Sequence, residues 1–160
     1  ITDNIQHEIT DFVCKVMEKE MSREQTTEAA AWIKVADELE SVADYLEKVV
    51  IFGSRFMEKN QFEGEIREEF LSFFNKIEDF FNEVVKGIHI SERPQTELHA
   101  KKSNELRILA DSLRSKHIER ITKGGYTPDS LLNYSDMVVA LRKVRSHSAN
   151  ISEALGERVF

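Results

Sequence analysis

Apolar residues recur along this chain with the spacing of a helix stripe. Between Trp32 and Val50 they fall at Trp32, Val35, Ala36, Leu39, Val42, Ala43, Leu46, Val49 and Val50, which closes one face of a 3.6-residue helix. The same rhythm at Ile5, Ile9, Phe12, Val13, Val16 and Met17 predicts a helix over residues 1–20. A third stripe runs from Ile66 through Phe70, Phe73, Phe74, Ile77, Phe80 and Phe81 to Val85. It predicts a helix over 65–87 whose aromatic face reads as core. Leu98, Leu106, Leu109, Leu113 and Ile118 place a fourth helix over 95–123, and Met137, Leu141, Val144, Ile151 and Leu155 carry a fifth.

Polar signals fix the ends. Ser22 with Gln25 three residues on is a capping box that starts helix two after a very short link, so helices one and two are expected as antiparallel neighbours. Helix two is expected to run to about Lys59, with Gly53 the place for a bend. Asn60 to Gly64 reads as a turn and Ser91 to Pro94 as a break, since proline lacks an amide donor. Lys123-Gly124-Gly125 supplies a left-handed cap, and Thr127-Pro128-Asp129 opens helix five with proline in the first turn. The expected fold is all-α: five helices in an antiparallel up-and-down bundle.

Composition narrows the function. A net charge of −7 with no basic stripe argues against a nucleic-acid partner. The single cysteine, Cys14, lies among Phe12, Val13 and Val16, reads as a small buried hydrophobe, and excludes an intramolecular disulfide or a thiolate metal cluster. No run approaches the roughly 20 apolar residues of a membrane span. The chain starts at Ile1 without a methionine, as a piece of a longer protein would. No Ser-His-Asp or Cys-His context and no Glu-x-x-His pair for a four-helix di-metal centre occurs, so a non-enzyme is expected. The Phe-rich face of helix three leaves room for a homo-oligomer.

Helices two and five carry one pattern twice. Leu39, Val42 and Val49 align with Leu141, Val144 and Ile151. The first copy reads Leu39-Glu40-Ser41-Val42-Ala43-Asp44; the second reads Leu141-Arg142-Lys143-Val144-Arg145-Ser146-His147-Ser148-Ala149-Asn150-Ile151. This resembles the motif Leu-Glu-Arg-Ile-Gly-Asp-His-Ala-x-Asn-Ile of the PhoU family, which occurs once in each of two three-helix repeats. The first copy keeps Glu-x-x-x-Asp; the second keeps the flanks and loses both carboxylates. His117-Ile118-Glu119-Arg120-Ile121 and Asn133-Tyr134 look like the variety at the carboxy end of bacterial sodium/phosphate cotransporters.

The resemblance implies PhoU-like tandem three-helix repeats with the first helix missing: residues 1–59 as the hairpin of repeat one and 60–160 as a complete repeat two, packed as one unit. It implies a cytoplasmic regulatory or interaction domain of a sodium-dependent phosphate transporter, tethered to the inner membrane through an upstream transporter domain of the same chain or bound to a separate one. The alternative is a stand-alone PhoU-type regulator that binds an ABC phosphate transporter and a sensor kinase, with metal on the bundle surface.

Folding the first hairpin about Met21 and Ser22 sets Glu40 level with Asp3 and His7 near Ala36. Glu40, Asp44, Asp37 and Asp3 are therefore candidate ligands for one divalent or iron-type ion, with His7 a further donor. The plain alternative is a solvated acidic face. In the second hairpin Arg142 falls level with Asp111, and Arg142 and Arg145 are expected to neutralise helix-four acids in place of a cation. His147 occupies the motif histidine position, while His89 and His99 are expected to have no chemical role.

Overall fold

A computed structural model describes residues 1–58, 62–89, 95–124 and 126–158. Those residues form five helices, α1 Thr2–Met17, α2 Arg23–Glu58, α3 Gly64–His89, α4 Thr96–Thr122 and α5 Pro128–Gly156, and no strand occurs among them. The turn at Asn60, the helix end at Lys59, the break at Ser91 to Pro94 and Gly125 lie outside the described residues. No helix of the described residues is long and apolar enough to cross a membrane.

The ends behave as the polar signals require. The Ser22 amide donates to Gln25 Oε1 at 2.9 Å and the Gln25 amide donates to Ser22 Oγ at 3.2 Å, so two otherwise unpaired donors are satisfied reciprocally. Pro128 sits in the first turn of α5, behind a Thr127 Oγ1 that accepts from the Ser130 amide at 3.3 Å. Gly124 takes φ +87°, a left-handed conformation that costs glycine nothing, and closes α4. Helix α2 continues through Gly53 without a break.

Buried positions step four, three, four along α3, α4 and α5. In α3 they are Ile66, Phe70, Phe73, Ile77, Phe80 and Val84; in α4, His99, Ser103, Leu106, Ala110, Leu113 and His117. In α5 they run from Ser130 and Tyr134 through Met137, Leu141, Val144, Ser148 and Ile151 to Leu155. A seam that returns every 3.5 residues is the one along which helices can pack side by side over many turns. Helix α5 is central, packing on α2, α3 and α4, while α3 also packs on α4 and α1 packs on α2 alone.

Printed pairs give direction to these contacts. Lys102 meets Glu83 near one end of the α3/α4 pair at 2.8 Å, and Lys116 and Arg120 meet Glu69 near the other at 3.0 and 2.9 Å, so the two run antiparallel. Helices α1 and α2 also run antiparallel, with Gln6 donating to Asp37 as the Met21/Ser22 fold requires.

Two expectations change. Cys14 is exposed, because α2 covers only the side of α1 that carries Gln6, Thr10, Val13 and Met17, and no residue of α1 is fully buried. Phe70, Phe73 and Phe80 are buried inside the molecule, so that face is already used and is not available for self-association.

Candidate functional site

The four candidate metal ligands sit on the α1/α2 hairpin. Asp37 accepts from Gln6 Nε2, the residue opposite it in the hairpin. Asp3 lies 3.5 Å from His7 Nε2, one turn along its own helix, with both side chains largely exposed. Glu40 and Asp44 follow on α2 and make no ion pair or hydrogen bond with any described residue. The hairpin register thus holds at Asp37, but no group of three or more His, Cys, Asp or Glu side chains stands ready to share one metal ion among the described residues. Two free carboxylates one turn apart leave most of a hard cation's shell to water.

The motif's second copy lies against α4. Arg142 Nη1 donates to Asp111 Oδ1 at 2.8 Å, the pairing its level predicts, and Arg107 Nη1 reaches the other oxygen at 3.4 Å. Arg145 bonds no helix-four acid. Its Nη1 donates to Ser103 Oγ at 2.6 Å and to the Ser103 carbonyl at 3.4 Å. Burial, and then the neighbouring guanidinium charges of Arg142 and Arg107, hold the Arg145 pKa below its ordinary value.

The two copies meet in the α2/α5 seam. The rings of Tyr45 and His147, equivalent under the alignment that carries Leu39 onto Leu141, stack on each other with centroids 5.4 Å apart. On either side of that stack the contacts repeat. Phe56 meets Tyr134 edge-on at 6.4 Å, and the same alignment carries this pair onto Arg158 and Trp32, which also touch, the guanidinium 4.5 Å from the ring centre. Such repetition about a central pair is what two related helices produce when they cross antiparallel on a local two-fold axis.

A carboxylate that sequence reasoning passed over fastens this seam. Glu38 accepts from His147 Nδ1 at 2.6 Å and from Asn150 Nδ2 at 3.0 Å. An ionised carboxylate only accepts, so His147 carries its proton on Nδ1. His147 and Asn150 are the histidine and asparagine of the second copy. The only signal in the sequence was those two motif positions three apart on one face of α5; Glu38 itself reads as one more solvated acid.

His99 is also more than a flanking residue. It is buried, with Nδ1 2.7 Å from Ser152 Oγ and Nε2 3.7 Å from Glu83. His117 is buried with Nε2 3.2 Å from the Ser130 carbonyl, which can only accept, so the ring's proton is on Nε2. Burial lowers the pKa of both rings and keeps them neutral. The Glu69 carboxyl is held below its ordinary range by its hydrogen bond from Arg120. These groups join helices to one another. An open groove of about 340 Å³ between α3 and α4, lined by Lys76, Asp79, Phe80, Glu83, Lys102 and Glu105 among others, mixes both signs of charge.

Comparison with protein-family models, with curated proteins and with solved structures finds no match to this chain.

Proposed function

We propose that this chain is a PhoU-like regulatory and interaction domain of phosphate transport, built as two repeats whose motif helices, α2 and α5, face each other, and acting by contact rather than by chemistry. The observation that carries the reading is the repetition of contacts about the Tyr45/His147 stack. It pairs the two motif copies across one seam and places the second copy's histidine and asparagine on Glu38. The partner is a membrane transporter domain, upstream in the same chain or separate, on the cytoplasmic side of the inner membrane.

One observation favours a metal in addition. Glu40 and Asp44, the carboxylates that the first copy retains, have no hydrogen-bond or ion-pair partner among the described residues. They would hold a divalent or iron-type ion in a site largely open to water. The stand-alone regulator of an ABC transporter and sensor kinase would carry the same site.

The test is labelled-phosphate uptake by the source cells with this coding segment intact or removed in frame. Uptake that no longer falls as external phosphate rises supports the reading. Uptake that responds identically in both strains removes it.

A further inference from the structure

Along the seam between α4 and α5 the guanidinium groups outnumber the carboxylates that face them. Ser103, Arg107 and Asp111 stand at four-residue steps on one face of α4, and Arg142 and Arg145 stand three apart on α5. Arg142 Nη1 donates to Asp111 Oδ1 and Arg107 Nη1 reaches Oδ2, so one carboxylate lies between two cations. Arg145 bonds no carboxylate among the described residues. Its Nη1 donates to the neutral Ser103 oxygens, and its Nε is buried without a hydrogen-bond partner there. Arg142 likewise has Nε and Nη2 in no bond to a described residue. Three positive charges against one negative leave an excess of two. Between α3 and α4, by contrast, the charges match: Lys102 faces Glu83, while Lys116 and Arg120 face Glu69 and Glu65. Burial, and then the charges of Arg142 and Arg107, already work against the charged form of Arg145. In a chain of net charge −7 such a local excess of cations creates a field suited to a small anion.

We propose that Arg107, Arg142 and Arg145 form a binding site for the hydrogen phosphate dianion. Its two charges offset the excess, and its oxygens accept from the planar guanidinium donors that Arg142 and Arg145 leave unpaired. Asp111 selects among anions. An ionised carboxylate only accepts, so it repels sulfate, which carries no proton at neutral pH, and accepts from the P–O–H of hydrogen phosphate. The same group occurs free in solution and, as a phosphomonoester, at membrane surfaces. A net charge of −7 opposes approach to an anionic bilayer, which favours the free ion. Arg142 is 31% and Arg107 45% exposed, so water competes at the site and an affinity on the order of 1 mM is expected. This charge count stands apart from the proposed function, so phosphate binding by the purified chain and phosphate uptake by cells can fail independently.

Isothermal titration of the whole chain with inorganic phosphate in low salt tests this, at about pH 8, where the ion is chiefly dianionic. Saturable binding at about 1 mM or tighter is expected, with sulfate at least about tenfold weaker. Arg142→Gln and Arg145→Gln should each weaken phosphate binding about tenfold, and Arg107→Gln about threefold, with the helical circular dichroism spectrum unchanged. If Arg145→Gln fails to fold, the other two variants carry the test. The Arg145 Nε–H signal in NMR spectra should shift along the same saturation curve. Asp111→Asn should remove the preference over sulfate; a preference that survives it contradicts selection by Asp111. No saturable binding up to about 20 mM phosphate overturns the proposal. So does binding that Arg142→Gln and Arg107→Gln leave unchanged, or that sulfate matches in the wild type. Sedimentation with phosphatidylcholine vesicles containing phosphatidic acid decides the source: a chain that pellets with them yet ignores inorganic phosphate overturns the assignment to the free ion.

Discussion

Replacing Glu38 with alanine removes a carboxylate that fastens α2 to the motif residues of α5. Its side chain is 16% exposed and that of His147 is 22% exposed, so water reaches neither freely. Hydrogen bonds to a charged group contribute about 1.5–3 kcal/mol, and here two of them, at 2.6 and 3.0 Å, share one acceptor group. Both donors keep some access to solvent after truncation, which places the expected loss for Glu38→Ala at about 2 kcal/mol rather than the sum of two bonds. For a chain of 160 residues, each 1 kcal/mol moves the thermal midpoint by about 2–4 °C, so a fall of about 4–8 °C follows. The assay is urea unfolding followed by circular dichroism, on wild type, Glu38→Ala, His147→Ala and the double variant. Because the two groups share one short hydrogen bond, the double-mutant cycle should return a coupling of about 1 kcal/mol. A single-variant loss below about 0.5 kcal/mol, or a coupling of zero, would refute the idea that this contact secures the seam.

The interior and the open helix make opposite predictions. Phe73, 1% exposed, should cost about 3–5 kcal/mol when cut to alanine, while Phe12→Ala on the exposed side of α1 should stay within about 0.5 kcal/mol, both read as urea midpoints at low protein concentration. Burial depresses the folded pKa of His99 and His117 below the ordinary 6.5, so the unfolded chain takes up more protons as the pH falls through that value. Their stabilisation is full above about pH 6.5 and is lost progressively below it, so the urea midpoint should be lower at about pH 5.5 than at about pH 7.5; an equal or higher midpoint at the lower pH contradicts the burial argument. Elemental analysis of purified wild type and of Glu40→Ala/Asp44→Ala should show less bound metal in the variant, and equal content in both removes the metal reading.

Much of the fold was legible because its signals are local and long. Each helix carries several turns of one apolar stripe, and Ser22, Pro128 and Gly124 act on their own backbones. The hairpin link was short enough to set a register, which is why Asp37 meets its opposite number Gln6 and Arg142 finds Asp111. The misses lie at longer range. Glu38 is chosen as a fastening point by residues more than a hundred positions away, and nothing about its neighbours in sequence distinguishes it from other acids on α2. His99 was passed over for the same reason, since Ser152 reaches it from a different helix. Cys14 was misplaced because its neighbours in sequence, Phe12, Val13 and Val16, are apolar, whereas on the helix it lies on the side away from Phe12 and Val16 and outside the face that α2 covers. The acids around Glu40 share a level in the hairpin, but a level does not fix where side chains reach, and Asp3 and Asp37 found nearer partners.

The claim that this domain governs phosphate transport by contact is tested most directly at its own surface. Labelled-phosphate uptake should be measured in cells carrying Glu40→Arg/Asp44→Arg, two charge reversals on α2 at a half-buried and an exposed position, after thermal unfolding has shown the purified variant to be as stable as wild type. The account predicts uptake that stays high when phosphate is plentiful; uptake repressed to the wild-type level would contradict it.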